Sequence, residues 1–417
     1  MRIVATGLIL FTMAGCTTTS KLSNQNLSYL YYKGSSIMHP EYRVYHVSDS
    51  VSRLYCSINT DEFLYSKDGD NQKFTAAYMI SYKLFSSFES KEVIDSTSAT
   101  FVYDKSDGRK QIINSIDFKA QSPNSYLLEV SAFDIKRKQS AKMFVNIDKG
   151  SKYTKQFFKV DSKIKKQTNF NPVVHGRDVL AIKPAMKDIS KMYVKYYDIN
   201  FPVSLPPFSV QEPKKVKYWP DTLYQVILNE EGIVESTMDK KGIYHFQIDT
   251  ITREGLTFFH YYNDFPKLTS ADQMIGPLRY ITTKQEFTEM MTTNDKKTAV
   301  DNFWLNITGN PDRGKKVIKK FYARVQDANQ YFTSYLEGWK SDRGMIYIVY
   351  GAPDVVYKNS FSENWIYGEE GNLVSLNFAF VNVLNPLTDK DFKLDRSPIY
   401  KNSWYLAVDA WRQGIVY

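Results

Sequence analysis

Cysteine is almost missing from this chain: its 417 residues include only Cys16 and Cys56. Two thiols allow at most one intramolecular bridge, so no disulfide framework holds the fold, and the paired-cysteine signatures of zinc and redox sites are absent. Histidine is scarce too. His39, His46, His175, His245 and His260 are the full set, and no two fall at a spacing that turns both rings toward one metal ion. Neither HExxH nor GxSxG occurs, which leaves no zinc-hydrolase helix and no nucleophile elbow legible in the sequence. Past residue 15, no apolar run reaches the ~20 residues that a membrane-crossing helix needs. No cofactor and no metal is expected from these residues, although a hydrolase assembled from scattered side chains stays open.

What is present is aromatic and basic. Tyrosine numbers 31 and phenylalanine 26, the hydrophobic share is 43%, and the formal net charge is +9. That is apolar material for several cores, and the length favours two or three domains. Cys56 alternates with Leu54 and Ile58, the pattern of an inert core position. At the start, Arg2 precedes the apolar run from Ile3 to Met13, and Met13-Ala14-Gly15-Cys16 follows. This start resembles the bacterial lipobox. The resemblance implies that residues 1–15 are a lipoprotein signal, that Cys16 becomes the acylated first residue, and that residues 16–27 form a tether. Thr17 follows the cysteine, and the tether up to Asn26 lacks any carboxylate. By resemblance to enterobacterial lipoprotein sorting, Thr17 implies an outer-membrane anchor; by resemblance to Bacteroidota surface lipoproteins, which carry an acidic cluster there, the missing carboxylates favour a body facing the periplasm over the cell surface.

From 28 to 150 the apolar pattern has period two, which puts alternate side chains on one face of a sheet. Phe74, Ala76, Tyr78, Ile80, Tyr82 and Leu84 share a face, as do Tyr126, Leu128, Val130 and Ala132. Polar turns such as Lys67-Asp68-Gly69-Asp70-Asn71 separate the runs. The spacing predicts an antiparallel β-sandwich of immunoglobulin-like kind. Lysines then crowd the chain, and residues 151–170 read as a basic linker. Lys136, Arg137, Lys138, Lys163, Lys165 and Lys166 are candidates for contact with an anionic surface, against the plainer reading of a solvated segment. A second β-rich module is expected over 171–278, with strands at Met192 to Ile199, Leu223 to Leu228, Ile243 to Ile248 and Leu256 to Tyr262. Pro202, Pro206, Pro207, Pro213 and Pro220 hold one long connection in it extended.

After Tyr280 the period becomes helical. Thr282 with Gln285 fits a capping box ahead of a helix through Phe287, a second helix contains Phe303 and Trp304, and a third follows Asn310-Pro311-Asp312. Strands are expected at Met345 to Tyr350 and Val374 to Val381, giving an α+β domain over 279–417. Just past the third helix the sequence reads Gly338-Trp339-Lys340-Ser341-Asp342-Arg343-Gly344, then Gly351-Ala352-Pro353-Asp354, with Trp365 beyond. This resembles the GWxTD domain, a C-terminal module of lipoproteins in Bacteroidota; Arg324, Ala328, Asn329 and Phe332 fit the same pattern. Ser341 stands where the family name has threonine, and it keeps the hydroxyl. The residues explain themselves as architecture: Gly338 as a left-handed end to the long helix, Ser341 or Asp342 as acceptors in a turn, Gly351 and Pro353 as a second turn, and both tryptophans as core pillars. Ion pairs in folds outnumber active sites, so Asp342 and Arg343 are read as structural.

Gly309-Asn310-Pro311-Asp312-Arg313-Gly314-Lys315-Lys316 imitates a phosphate loop. Lys316 stands where magnesium needs a hydroxyl, and Pro311 removes an amide from the cradle, so no nucleotide is expected. Location excludes nucleic acid. Asp49-Ser50-Val51, Asp95-Ser96-Thr97, Asp221-Thr222-Leu223 and Asp249-Thr250-Ile251 resemble the short O-glycosylation acceptor of Bacteroidota and are compatible with export. The expectation is therefore a non-catalytic interaction or scaffold lipoprotein, accessory to a complex that assembles or exports outer-membrane barrel proteins. Glycan binding through Tyr196-Tyr197 or Tyr261-Tyr262 is the alternative, and a hydrolase comes third.

Overall fold

The computed structural model describes residues 20–67, 73–199, 201–211 and 218–415. Residues 1–19, with Cys16, lie outside the described residues, as do Asp68 to Asn71 of the expected turn and Pro213. The first module is a sandwich built from β1 (Glu41–His46), β2 (Val51–Asn59), β3 (Ser66–Lys67), β4 (Phe74–Phe85), β5 (Asp95–Asp104), β6 (Gln111–Lys119), β7 (Ser125–Asp134) and β8 (Gln139–Asp148). One sheet has the order β1-β2-β6, and the other runs β3-β4-β7-β8 with β5 also paired to β4. Leu54, Cys56 and Ile58 meet Tyr78, Ile80, Leu128 and Val130 between the sheets. The alternation that predicted them follows from the pleat. Burial pushes the Cys56 thiol up to about 12, which removes it from thiolate chemistry.

The second sandwich is made by β9 (Phe158–Ser162), β10 (Gln167–Thr168), β11 (Val179–Pro184), β12 (Lys191–Tyr197), β13 (Thr222–Ile227), β14 (Val234–Thr237), β15 (Gly242–Gln247) and β16 (Leu256–His260). Its sheets have the orders β10-β9-β11-β14 and β13-β12-β15-β16. The expected basic linker 151–170 is therefore not a linker. It contains β9 and β10, with Phe158 and Val160 buried in the second core. Lys159 and Asp161 alternate with those two on the outer face, and the density of lysines hides the period-two pattern.

The remainder comprises α1 (Ala271–Leu278), α2 (Lys284–Thr292), α3 (Lys296–Thr308), α4 (Pro311–Phe332), α5 (Asp342–Tyr350), then β17 (Val355–Lys358), β18 (Ser362–Tyr367), β19 (Leu376–Asn382), β20 (Phe392–Leu394) and α6 (Tyr400–Arg412). Three expectations change here. The capping box sits one residue later, at Thr283 and Glu286, and α1 precedes it with its own box at Ser270 and Gln273. Met345 to Tyr350 is helix, not strand. Its run of apolar, partly β-branched residues is buried from Met345 through Val349, so no polar face marks the helical period. Gly338 does not end α4 in a left-handed turn; Thr333 follows α4 in extended backbone, and Gly338 opens a 3-10 turn.

The segment expected as a tether is built into this last domain from Ser20 onward. Leu22, Leu27 and Tyr31 are buried in the same core as Trp304, Phe321, Phe332 and Trp365. Asn26 Oδ1 accepts the Val356 N–H at 3.1 Å, and the Leu27 N–H donates to the Val356 carbonyl at 2.8 Å. Both outward backbone groups of Val356 are thus satisfied, and the open edge of β17 is covered. Phe85, Phe88 and Leu127 of the first sandwich join this core. Ile243, Phe259 and Tyr261 of the second pack with Tyr335, Leu336 and Leu387.

Candidate functional site

The motif begins where α4 ends. A β-carbon on Gly338 would overlap the Ala328 carbonyl of α4, and one on Gly344 would overlap the Gly338 carbonyl. Close backbone approach, not a positive φ, is what these two glycines provide. Asn329 Oδ1 accepts the Trp339 N–H at 3.1 Å. The Trp339 ring lies against Gly276 and edge-on to Tyr280, whose hydroxyl donates to the Trp339 carbonyl at 2.8 Å. Ser341 donates to the Gly338 carbonyl at 2.7 Å and accepts the Gly344 N–H at 3.0 Å, so it caps α5. Threonine could make both bonds, which accounts for the departure from the family name.

Asp342 and Arg343 are buried and take different partners. Asp342 accepts the Leu394 N–H at 2.8 Å and is gripped by both terminal nitrogens of Arg396. Arg396 also donates to the Leu205 carbonyl at 3.1 Å, fastening the proline-rich connection to the domain. Arg343 donates to Glu363 at 2.9 Å and to the Lys390 carbonyl at 3.0 Å, with its guanidinium 4.0 Å from the Phe392 ring centre. Glu363 further accepts from Lys358 at 2.8 Å, from the Tyr31 hydroxyl at 2.8 Å and from the Trp365 indole at 3.1 Å. Burial raises the Glu363 carboxyl, but Lys358 and Arg343 outweigh it and hold it at about 2. Burial, with Glu363 beside it, pushes the Tyr31 phenol up. Gly351, in positive φ, faces the Arg324 guanidinium, which donates to the Ile348 and Val349 carbonyls. Glu363 is shared by Arg343 and Lys358 while Asp342 is held by Arg396, a largely enclosed network that fixes the geometry of the domain.

Tyr31, Lys358, Glu363 and Arg396 escaped the sequence reading. One signal was available: Glu363 and Trp365 sit two apart on one strand, so a carboxylate shares the core face with a tryptophan. The basic candidates divide between two hairpins. Lys136, Arg137 and Lys138 turn between β7 and β8, and Lys163, Lys165 and Lys166 turn between β9 and β10. Acids face two of them: Lys163 pairs with Glu235 at 2.7 Å, and Arg137 lies 3.9 Å from the Asp134 carboxylate. Lys149 is buried and donates to the Ser48, Asp49 and Ala120 carbonyls. The tyrosines offered as glycan platforms, Tyr196 and Tyr197 on β12 and Tyr261 and Tyr262 just past β16, are all buried, which corrects that expectation. At the phosphate-loop imitation, Asn310 Oδ1 already accepts the Asp312 and Arg313 amides. Among the described residues, no helix is long and apolar enough to cross a membrane, and no cluster of metal-ligating side chains occurs.

Two sandwiches closed by an α+β domain around an enclosed ion network define a β-rich, multi-module protein. Residues 242–413 match the family model of the GWxTD domain, and this part of the chain is a GWxTD domain. The match opens at Gly242, in β15, ahead of the boundary expected at 279. No curated protein matches the chain.

Proposed function

We propose that the protein is an outer-membrane-anchored, periplasm-facing lipoprotein that acts by protein contact, as a non-catalytic scaffold subunit of a machine that assembles or exports outer-membrane proteins. The motif's charged side chains support this reading, since all are spent on internal pairs. The observation that carries it is the edge strand β13. Among the described residues the other sheet edges are covered, short or polar: Pro172 and Val174 bond to Phe259 of β16, Asn26 and Leu27 cover β17, β3, β10 and β20 have two or three residues, β14 has four with Glu235 among them, β1, β6 and β8 carry charges, and β5 is rich in serine and threonine. Strand β13 reads Thr-Leu-Tyr-Gln-Val-Ile, pairs among the described residues only with β12, and exposes Leu223, Tyr224 and Ile227, the last at 81%, with Trp219 at 77% just before it. An uncharged, apolar, unpaired edge is what strand addition by a partner uses.

A photo-crosslinking residue at Ile227, activated in native membranes, tests the proposal. The expected product is an adduct with a barrel-forming envelope protein. Recovery of the uncrosslinked chain alone, at a yield no better than from a probe at Ile251, counts against it.

A further inference from the structure

We infer that the anchor seats one particular face on the bilayer: the place where the N-terminal segment, the β4–β5 loop and the β17–β18 hairpin meet, with Phe361 entering the headgroup–acyl boundary. This rests on the proposed acylation of Cys16 and adds the orientation that acylation would impose. Only residues 17–19 separate Cys16 from Ser20, and four chain steps span at most about 14 Å. From Ser20 onward the chain is pinned to the body. Gln25 Nε2 donates to Ser20 Oγ at 3.1 Å, Leu22 is buried, and the Ser23 N–H donates to the Phe88 carbonyl at 3.0 Å. Next to Phe88, the Glu89 carboxylate accepts the Ser360 N–H at 3.0 Å and the Ser360 hydroxyl at 2.9 Å. The anchor's point of entry, a loop of the first sandwich and a hairpin of the GWxTD domain are therefore stitched together.

The side chains displayed there suit a lipid surface. Phe361 is 76% exposed and belongs to none of the four cores. Val93 and Ile94 are exposed on the loop, and Lys21 and Lys91 are exposed beside them. Aromatic and aliphatic groups favour the interfacial zone, lysines favour phosphate headgroups, and a second contact strengthens what acyl chains begin. A short covalent leash raises the effective concentration of that contact. Ile251, 92% exposed in the β15–β16 loop, is as apolar but has no tie to the anchor.

The test uses the full acylated chain in phosphatidylethanolamine–phosphatidylglycerol vesicles containing a spin-labelled phospholipid. Fluorophores are attached at Phe361→Cys or Ile251→Cys, Cys56 being buried. Quenching at 361 is expected to exceed that at 251 at least two-fold. Equal quenching, or more at 251, on vesicle-bound protein whose N-terminal peptide carries acyl mass overturns the seating and leaves the anchor intact. Absence of acyl mass overturns both.

Discussion

Glu363 is the residue on which the motif turns. Glu363→Gln leaves Arg343 and Lys358 facing a neutral amide inside the core, and losing one partner of a buried pair costs about 3–5 kcal/mol. Urea unfolding of the variant should show that loss. With its carboxyl at about 2 against an ordinary 4.5, the unfolded chain binds more protons between those values. The stabilisation is thus complete above 4.5 and drains away as pH falls toward 2. Wild-type stability should drop through that window, and the Glu363→Gln profile should be flatter there. At Ser341, threonine should be neutral, whereas alanine should cost about 1 kcal/mol through loss of the α5 cap. The buried tryptophans and the accepting hydroxyl of Ser341 were legible in sequence. The motif's partners were not, because Arg396 and Tyr31 reach it across long stretches of chain that carry no local pattern.

At the scale of elements, the sandwich strands were visible wherever polar and apolar residues alternate, and β9 vanished because lysine supplied the polar half. Helix α5 misled for the opposite reason. Burial deletes the polar stripe, and the short apolar run from Met345 to Tyr350 has the length of a strand. The N-terminal segment was read as a tether since its polar residues hide two anchoring leucines. Leu27→Ala should cost about 2–5 kcal/mol of stability, measurable by differential scanning calorimetry. Strand β13 gives the contrasting case. Ile227→Lys should leave stability within about 0.5 kcal/mol, because the side chain touches little, while abolishing the partner adduct formed by a crosslinker at Leu223.

Across the whole molecule, cores that draw on both sandwiches and the last domain couple the modules. One cooperative transition is expected, and limited proteolysis should not release a stable fragment at 151–170. Burial lowers His46, in the first sandwich, and His245, in the second, to about 4. Between 6.5 and 4 the unfolded chain again holds more protons, so stability is full above 6.5 and declines as pH falls to 4. Melting temperatures recorded across that interval check it, with His245→Gln expected to reduce the slope. Tyr31 and Glu363, joined by one hydrogen bond, stand 332 positions apart. Synthesis starts with the first and reaches the second only near its end. A ribosomal product broken off before Val355 would lack the Val356, Glu363 and Trp365 partners of Leu27 and Tyr31, leaving that patch partly uncovered. Completeness of the polypeptide is thus the condition for concealing a greasy patch that proteases and chaperones can recognise.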